Sequence, residues 1–172
     1  KIRYILDGGS ARIGLESTIV DLRDPKRPRL LRPGAITQTQ LESALGQKVT
    51  ALRRTQLPRK PAGAQVAPGL LLRHYSPRTP VQLHERFPAR RPSAPDEAWV
   101  SLAKPHGPRL PNCFWLDPRG NLHGIARRLF ATLRQLDDGK FRMIHVELAR
   151  GGGLADAVND RLRRSEEHTS EL

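Results

Sequence analysis

The sequence predicts an α/β protein built in two parts. Between residues 79 and 164, strand-like runs alternate with amphipathic helical runs, a pattern typical of a small α/β unit with a mainly parallel sheet. Within residues 1–52, short runs rich in β-branched residues surround one helical pattern. Residues 53–78 lie between these parts and are mostly basic, polar or proline-rich, which predicts a linker.

The first part is organised around residues 14–34, which read G-L-E-S-T-I-V-D-L, a short charged turn and L-L-R-P-G. Residues 17–22 predict one strand and residues 29–32 a returning strand, with two prolines in the turn between them. Such a hairpin would bring Arg32 close to Ser17. A hydroxyl beside a guanidinium can bind a carboxylate or a phosphate. An ordinary hairpin with solvated ends fits the same residues.

Short elements are predicted on both sides of this hairpin. Residues 3–6 predict a strand that leads into a glycine turn. Residues 38–45 predict a helix that Thr37 caps and Gly46 ends. Residues 49–52 predict one more strand.

The second part contains four predicted strands and two predicted helices. The strands are expected at residues 80–84, 98–103, 112–116 and 143–147. Residues 122–136 predict an amphipathic helix with Asn121 or Gly120 at its start. Three glycines at 151–153 precede the last helix. They could bind an anion at its N-terminus, although such a run more often forms a tight turn.

The last nine residues, R-S-E-E-H-T-S-E-L, differ from the helical pattern before them. They break that pattern, have no apolar face and match the in-frame translation of a common sequencing-library adapter. We therefore interpret residues 164–172 as an artefact outside the fold, with the native sequence undetermined beyond Arg163. The chain begins at Lys1 without a methionine, and we expect that it starts within a domain.

Composition restricts the function classes. The chain has 172 residues and a formal net charge of +13, which favours polyanions such as RNA as partners, although an arginine-rich composition that serves solubility explains the same charge. The single cysteine, Cys113, excludes a disulfide framework and a multi-cysteine metal site and fits a reducing cytoplasm. No apolar run reaches the roughly 18–20 residues of a membrane span. No catalytic triad, carboxylate pair or metal-ligand spacing is specific enough to name catalytic or metal-binding residues.

The end of the linker differs from the rest of it. Residues 68–77, P-G-L-L-L-R-H-Y-S-P, contain three leucines and a tyrosine, which should dock against another surface. Arg73, His74 and Tyr75 supply a cation, a hydrogen-bonding imidazole and a ring that could cover a ligand. A strand entering the next domain, with His74 merely hydrogen-bonded there, explains them as well.

Five motifs in this order resemble a known family. They are I-L-D-G-G at 5–9, G-L-E-S-T-I-V-D-L at 14–22, L-L-R-P-G-A-I-T at 30–37, A-P-G-L-L-L-R-H-Y-S-P at 67–77 and G-G-L-A-D-A-V-N-D-R-L at 152–162. The set resembles the two-domain L-threonylcarbamoyladenylate synthases over residues 1–164. The resemblance implies the C-terminal part of a YrdC-like twisted-sheet α/β domain at residues 1–52. A linker with an active-site lid motif at 53–78 and a small Rossmann-like α/β domain at 79–164 would follow.

The resemblance also implies an activity and its binding residues. The implied enzyme is a cytoplasmic, ATP-dependent nucleotidyltransferase that converts L-threonine, bicarbonate and ATP into threonylcarbamoyl-AMP and pyrophosphate. Its product supplies the machinery that forms N6-threonylcarbamoyladenosine in tRNA, and Mg²⁺ is expected to accompany ATP. The implied threonine-binding residue is Ser17, and the implied ATP-binding residues are Arg32, Leu71, Arg73, His74 and Tyr75.

The sequence departs from the family pattern at one point. The long N-terminal part of the family's catalytic domain, with its basic K-x-R-type element, is not in these residues. We therefore expect this chain by itself neither to make threonylcarbamoyl-AMP nor to bind ATP tightly. Two other interpretations stay open: a non-catalytic RNA-binding module, and a regulatory α/β interaction domain with a pseudo-site.

Overall fold

The computed structural model describes residues 2–9, 11–52, 77–88, 94–108, 110–138 and 141–169, with residues 167–169 described by their backbone alone. Within these ranges the chain forms seven strands and three helices. In chain order they are β1 (Ile19–Asp21), β2 (Arg29–Arg32), α1 (Gln38–Leu45), β3 (Thr50–Ala51), β4 (Val81–His84), β5 (Glu97–Ala103), β6 (Cys113–Asp117), α2 (Leu122–Leu136), β7 (Met143–Glu147) and α3 (Leu154–Thr169).

The first sheet has the strand order β1-β2-β3. The strands β1 and β2 are antiparallel, with Ile19 opposite Arg32, and the register shifts between Ile19 and Val20. β3 is parallel to β2. The predicted hairpin is therefore confirmed, and its β1 is shorter than the pattern of residues 17–22 indicates.

The helix α1 connects β2 to β3 and has the ends that the sequence predicts. The Thr37 hydroxyl accepts a hydrogen bond from the Gln40 amide, and the Gln40 side chain accepts one from the Thr37 amide, which completes a capping box. Gly46 ends the helix with φ of 64°, a conformation that glycine adopts without strain.

The second sheet has the strand order β4-β7-β5-β6, and all of its paired strands are parallel. The α/β class and the mainly parallel sheet are confirmed. One face of the sheet packs against α2 and α3, where the apolar face of α2 is buried through Ile125, Leu129 and Leu133. Asn121 caps α2 by accepting hydrogen bonds from the amides of His123 and Gly124.

The opposite face of this sheet holds buried polar and aromatic side chains. Glu97, Trp99 and His145 are each at most 9% exposed, and the rings of Trp99 and His145 are stacked with centroids 4.0 Å apart. This face contains alternate residues of β5 and β7, because successive side chains of a strand point to opposite faces. The face of this sheet opposite α2 and α3 therefore contains buried polar groups, whereas the face against the helices is apolar.

Two predictions are wrong. Residues 3–6 form no strand: they pair with none of the described strands, and the side chains of Ile5 and Leu6 are 83% and 99% exposed. A strand without a partner leaves its backbone groups unpaired, so the β-rich composition is not enough. The helical pattern also does not break at Arg164. The helix α3 continues to Thr169, and Ser165 is only 2% exposed. The adapter origin of these residues stays a prediction.

Among the described residues, no helix combines the length and the apolar character needed to cross a bilayer.

The glycines at 151–153 form the turn between β7 and α3, with positive φ at Gly151 and Gly153. The Gly153 amide donates to the Asp156 carboxylate, so a side chain of the protein already caps this helix start.

Candidate functional site

The candidate site lies at the open end of the β1–β2 hairpin, which we call the hairpin mouth and define as residues 16–18 and 32–34. The Arg32 guanidinium donates from Nε to the Ser17 carbonyl oxygen at 2.9 Å and from Nη2 to the Ser17 hydroxyl at 3.1 Å. The predicted approach of Arg32 to Ser17 is therefore confirmed. Ser17 is exposed and Arg32 is partly exposed, so a ligand can reach both.

The backbone of the hairpin mouth is packed closely. A Cβ atom added to Gly34 would lie 2.4 Å from the Thr18 nitrogen and 2.7 Å from the Glu16 oxygen, so a side chain does not fit there. The Thr18 hydroxyl donates to the Ile36 carbonyl at 2.7 Å and accepts from the Ile36 amide at 3.1 Å. The Thr18 hydroxyl is therefore used in hydrogen bonds to the backbone, whereas the Ser17 hydroxyl accepts from Arg32 and can still donate to a ligand.

A buried arginine from α3 contacts the same hairpin mouth. The Arg161 side chain is only 4% exposed, and its Nε donates to the Glu16 carboxylate. Its Nη2 donates to the Pro33 carbonyl at 3.3 Å, and its Nη1 donates to Asp160 at 2.5 Å. Asp160 also accepts from Arg164 Nε at 2.9 Å. These contacts place a network of alternating charges behind Ser17 and Arg32.

The charges at the hairpin mouth affect one another. Burial raises the pKa of Glu16, but the hydrogen bond and the positive charge of Arg161 outweigh it, so the pKa lies below its usual value. Burial lowers the pKa of the Arg32 guanidinium, and the positive charge of Arg161 lowers it further. Arginine stays protonated in proteins even so. Arg32 is therefore a partly desolvated cation, and a bound anion would relieve the repulsion from Arg161.

A cavity of about 440 Å³ lies next to the hairpin mouth, between the first part of the chain and α3. Pro33 and Gly34 line it from the hairpin mouth, and Gly153, Asp156 and Asp160 line it from the second part. Neither Ser17 nor Arg32 lines this cavity. The predicted pair therefore lies at its edge.

The other predicted site residues lie outside the described residues. Leu71, Arg73, His74 and Tyr75 belong to residues 53–76, so their approach to the hairpin mouth stays a prediction. The described residues contain no group of three or more His, Cys, Asp or Glu side chains able to hold a metal ion. Glu16 of the hairpin mouth and Asp160 of α3 are both paired with Arg161. This donor set does not fit a Mg²⁺ held by these side chains, because Mg²⁺ needs free oxygen ligands.

The pairing of Glu16 with Arg161 was not predicted from the sequence. They are 145 residues apart, and no local pattern connects them. One signal was present: Arg161 falls beside Leu162 and three positions after Val158, on the apolar face of the last helix. A charged residue on such a face requires a partner.

Known proteins similar to this chain show which family it belongs to. A family model described as "Threonylcarbamoyl-AMP synthase, C-terminal domain" matches residues 36–166. The chain belongs to this family. It is 32% identical over 176 residues to a threonylcarbamoyl-AMP synthase of Pyrococcus abyssi, and 28% identical over 181 residues to one of Bacillus subtilis. Each alignment covers 96% of this chain and 49% of the relative.

A solved structure has the same fold. The crystal structure of P. abyssi Sua5 complexed with L-threonine matches with a TM-score of 0.72 and 26% sequence identity. The match covers 95% of this chain and 49% of that chain. This chain therefore spans about half the length of the relatives that it matches.

Proposed function

We propose that the protein of this chain, at the full length of its relatives, is a threonylcarbamoyl-AMP synthase. The threonine amine and bicarbonate condense to a carbamate with loss of water. A carbamate oxygen then attacks the α-phosphorus of ATP, and pyrophosphate leaves. The reaction is a nucleotidyl transfer, and its product would supply the machinery that forms N6-threonylcarbamoyladenosine in tRNA. The names of the relatives support this proposal.

The observation that carries the proposal is the contact between Ser17 and Arg32 at the hairpin mouth. We propose that Ser17 binds L-threonine, because a hydroxyl can donate to its carboxylate. The solved relative with bound L-threonine supports this ligand. Arg32 would bind the nucleotide, because a guanidinium can donate two parallel hydrogen bonds to phosphate oxygens.

The remaining ligands follow from the same chemistry. We expect Mg²⁺ to arrive with ATP, held by phosphate oxygens. Leu71, Arg73, His74 and Tyr75 would close over the nucleotide and exclude water, which would otherwise hydrolyse the carbamate and the mixed anhydride. We propose a cytoplasmic location for this reaction, because a free buried cysteine, Cys113, fits a reducing compartment.

Two alanine variants of the full-length protein test the proposal. We expect Ser17→Ala to raise the KM for threonine and Arg32→Ala to raise the KM for ATP, each by about tenfold or more, since a hydrogen bond to a charged group contributes about 1.5–3 kcal/mol. The measurement is pyrophosphate release together with detection of threonylcarbamoyl-AMP. Ser43→Ala and Arg27→Ala are matched controls, because both side chains are exposed in this part of the chain. Unchanged kinetics in both site variants would exclude these roles.

A second candidate function is RNA binding without catalysis, which the net charge of +13 favours. Under this alternative, RNA binding would weaken steeply with salt, because counterions are released on binding. It would also survive Ser17→Ala and Arg32→Ala, whereas no threonylcarbamoyl-AMP would form in the wild-type protein.

A further inference from the structure

Arg161 contacts both sides of the hairpin mouth at once. Glu16 comes directly before Ser17, and Pro33 comes directly after Arg32; Arg161 donates a hydrogen bond to each of these two neighbours. One side chain of α3 therefore contacts both chain segments of the hairpin mouth, the one with Ser17 and the one with Arg32. The Arg161 side chain is 4% exposed, which gives it little freedom to take other positions.

The charge pairing at this point is selective. Glu16 pairs with Arg161, although Arg32 lies near enough for the two charges to interact. In the described part of the chain, the hydrogen bonds of the Arg32 guanidinium go to Ser17, and none goes to a carboxylate. Arg161 thus binds the Glu16 carboxylate, which could otherwise form a salt bridge with Arg32.

This selectivity matters because an arginine in a salt bridge binds an incoming anion less well. The anion must first displace the internal carboxylate, and it also meets the negative charge of that carboxylate. With Glu16 hydrogen-bonded to Arg161, the Arg32 guanidinium bonds to Ser17 and is not tied to that carboxylate. Asp160 also pairs with Arg161, so two carboxylates hold this guanidinium in place.

We propose that Arg161 is a positioning residue that keeps Glu16 away from Arg32, so that Arg32 stays available for the anionic part of the nucleotide. The inference rests on the proposed function for the identity of that ligand. It assigns the C-terminal part a direct effect on the site, through a residue that does not itself touch the ligand.

A charge-rescue experiment in the full-length protein tests this proposal. Removing the guanidinium with Arg161→Gln frees Glu16 to pair with Arg32, so we expect the Kd for ATP to rise about tenfold. The double variant Arg161→Gln/Glu16→Gln removes the competing carboxylate as well, and we expect it to recover most of the affinity. A merely structural role predicts a lower stability in circular dichroism for Arg161→Gln, without this dependence of the ATP Kd on the Glu16 carboxylate.

Further variants keep the test decisive if Arg161→Gln folds poorly. Arg161→Lys keeps a positive charge beside Glu16, so we expect it to retain most of the affinity although it cannot reproduce the three-way contact. Arg134→Gln is the matched control, because it removes one exposed arginine from α2. For every variant, isothermal titration calorimetry measures the Kd for ATP, and circular dichroism measures whether the protein is folded.

The outcomes separate this inference from the proposed function. If Arg32→Ala weakens ATP binding but Arg161→Gln does not, the inference is overturned and the proposed function stands. A double variant that binds ATP no better than Arg161→Gln also overturns the inference, as does a loss in Arg161→Lys equal to that in Arg161→Gln. If Arg32→Ala leaves ATP binding unchanged, the nucleotide role of Arg32 and the inference fail together.

Discussion

His84 and His145 show how single polar residues are accommodated in the second sheet. Their ring nitrogens Nε2 and Nδ1 lie 2.9 Å apart, and His145 Nε2 lies 3.3 Å from the Glu97 carboxylate. Burial lowers the pKa of both histidines, and for His84 the charge of His145 lowers it further; Glu97 acts in the opposite direction on His145 without reversing the shift. The hydrogen bond between the two ring nitrogens also requires one of them to accept, so at least one of the two imidazoles is neutral. The folded protein therefore prefers these histidines uncharged.

We predict that this pair makes the protein less stable as the pH falls. Because the pKa of each histidine is lower in the folded state than its ordinary value of 6.5, the unfolded chain takes up protons first. The free energy of unfolding should decrease as the pH drops below about 6.5. His84→Gln should reduce the slope of the free energy of unfolding against pH by up to about 1.4 kcal/mol per pH unit. Urea unfolding between pH 5 and 8 measures it. His106→Gln is the control, because it replaces an exposed histidine outside this pair; a slope for His84→Gln equal to that of the wild-type protein would contradict the prediction.

At the scale of elements, α3 is longer than its apolar pattern indicates, and its last turns contact the sheet. β4 lies at the edge of the second sheet, and the Leu83 amide donates to the Glu166 carboxylate at 2.9 Å. An edge strand exposes unpaired amides, and a side chain that accepts from one of them protects the edge. The Asp137 carboxylate does the same before β4, because it accepts from the amides of Arg78 and Thr79.

The contact between α3 and β4 can be tested with a pair of variants at one position. We expect Glu166→Ala to lower the free energy of unfolding by about 1 kcal/mol, since a partly buried amide loses its acceptor. Glu166→Gln keeps an acceptor oxygen and should cost less than half of that. Chemical unfolding measures both, and hydrogen exchange at the Leu83 amide reports the local effect. A cost as large for glutamine as for alanine would show that the carboxylate charge, and not the hydrogen bond, matters.

At the scale of the whole molecule, the first part of the chain packs directly against the second. Leu15 contacts the core of the second part, and Gly14 lies against the backbone of α2. Thr37, at the start of α1, lies against Gly153 before α3. Together with the contact of Glu16 and Arg161, these points hold the hairpin mouth against the C-terminal helices. The candidate site therefore depends on both parts.

Gly14 offers a test of this packing. A Cβ atom at this position would lie 2.5 Å from the Arg127 Cα atom, and the backbone φ of 76° is unfavourable for other residues. We expect Gly14→Ala to lower the free energy of unfolding by about 2 kcal/mol or more, from backbone strain and from separation of the two parts. Gly8→Ala is the control, because no atom lies within 4 Å of its Cβ position. Urea unfolding that gives equal stabilities for the two variants would contradict this packing.

Local patterns predicted most of the elements. The capping box of α1, the apolar face of α2 and the strands of the second sheet depend on residues close together in sequence, so propensity and periodicity suffice to locate them. The approach of Arg32 to Ser17 was predictable for the same reason, because a short hairpin brings its two ends together. The strand expected at residues 3–6 failed because a strand needs a partner, which composition does not supply.

The sequence by itself determined the α/β class, the hairpin and the pairing of Ser17 with Arg32, since each follows from short-range order along the chain. Only the tertiary structure decided what lies behind that pair. The contact of Arg161 with Glu16 and Pro33, the burial of Ser165 and the contact of Glu166 with β4 join residues that are far apart in sequence. Such contacts arise when helices pack on a sheet and bring buried charges within reach of one another, which no local pattern specifies.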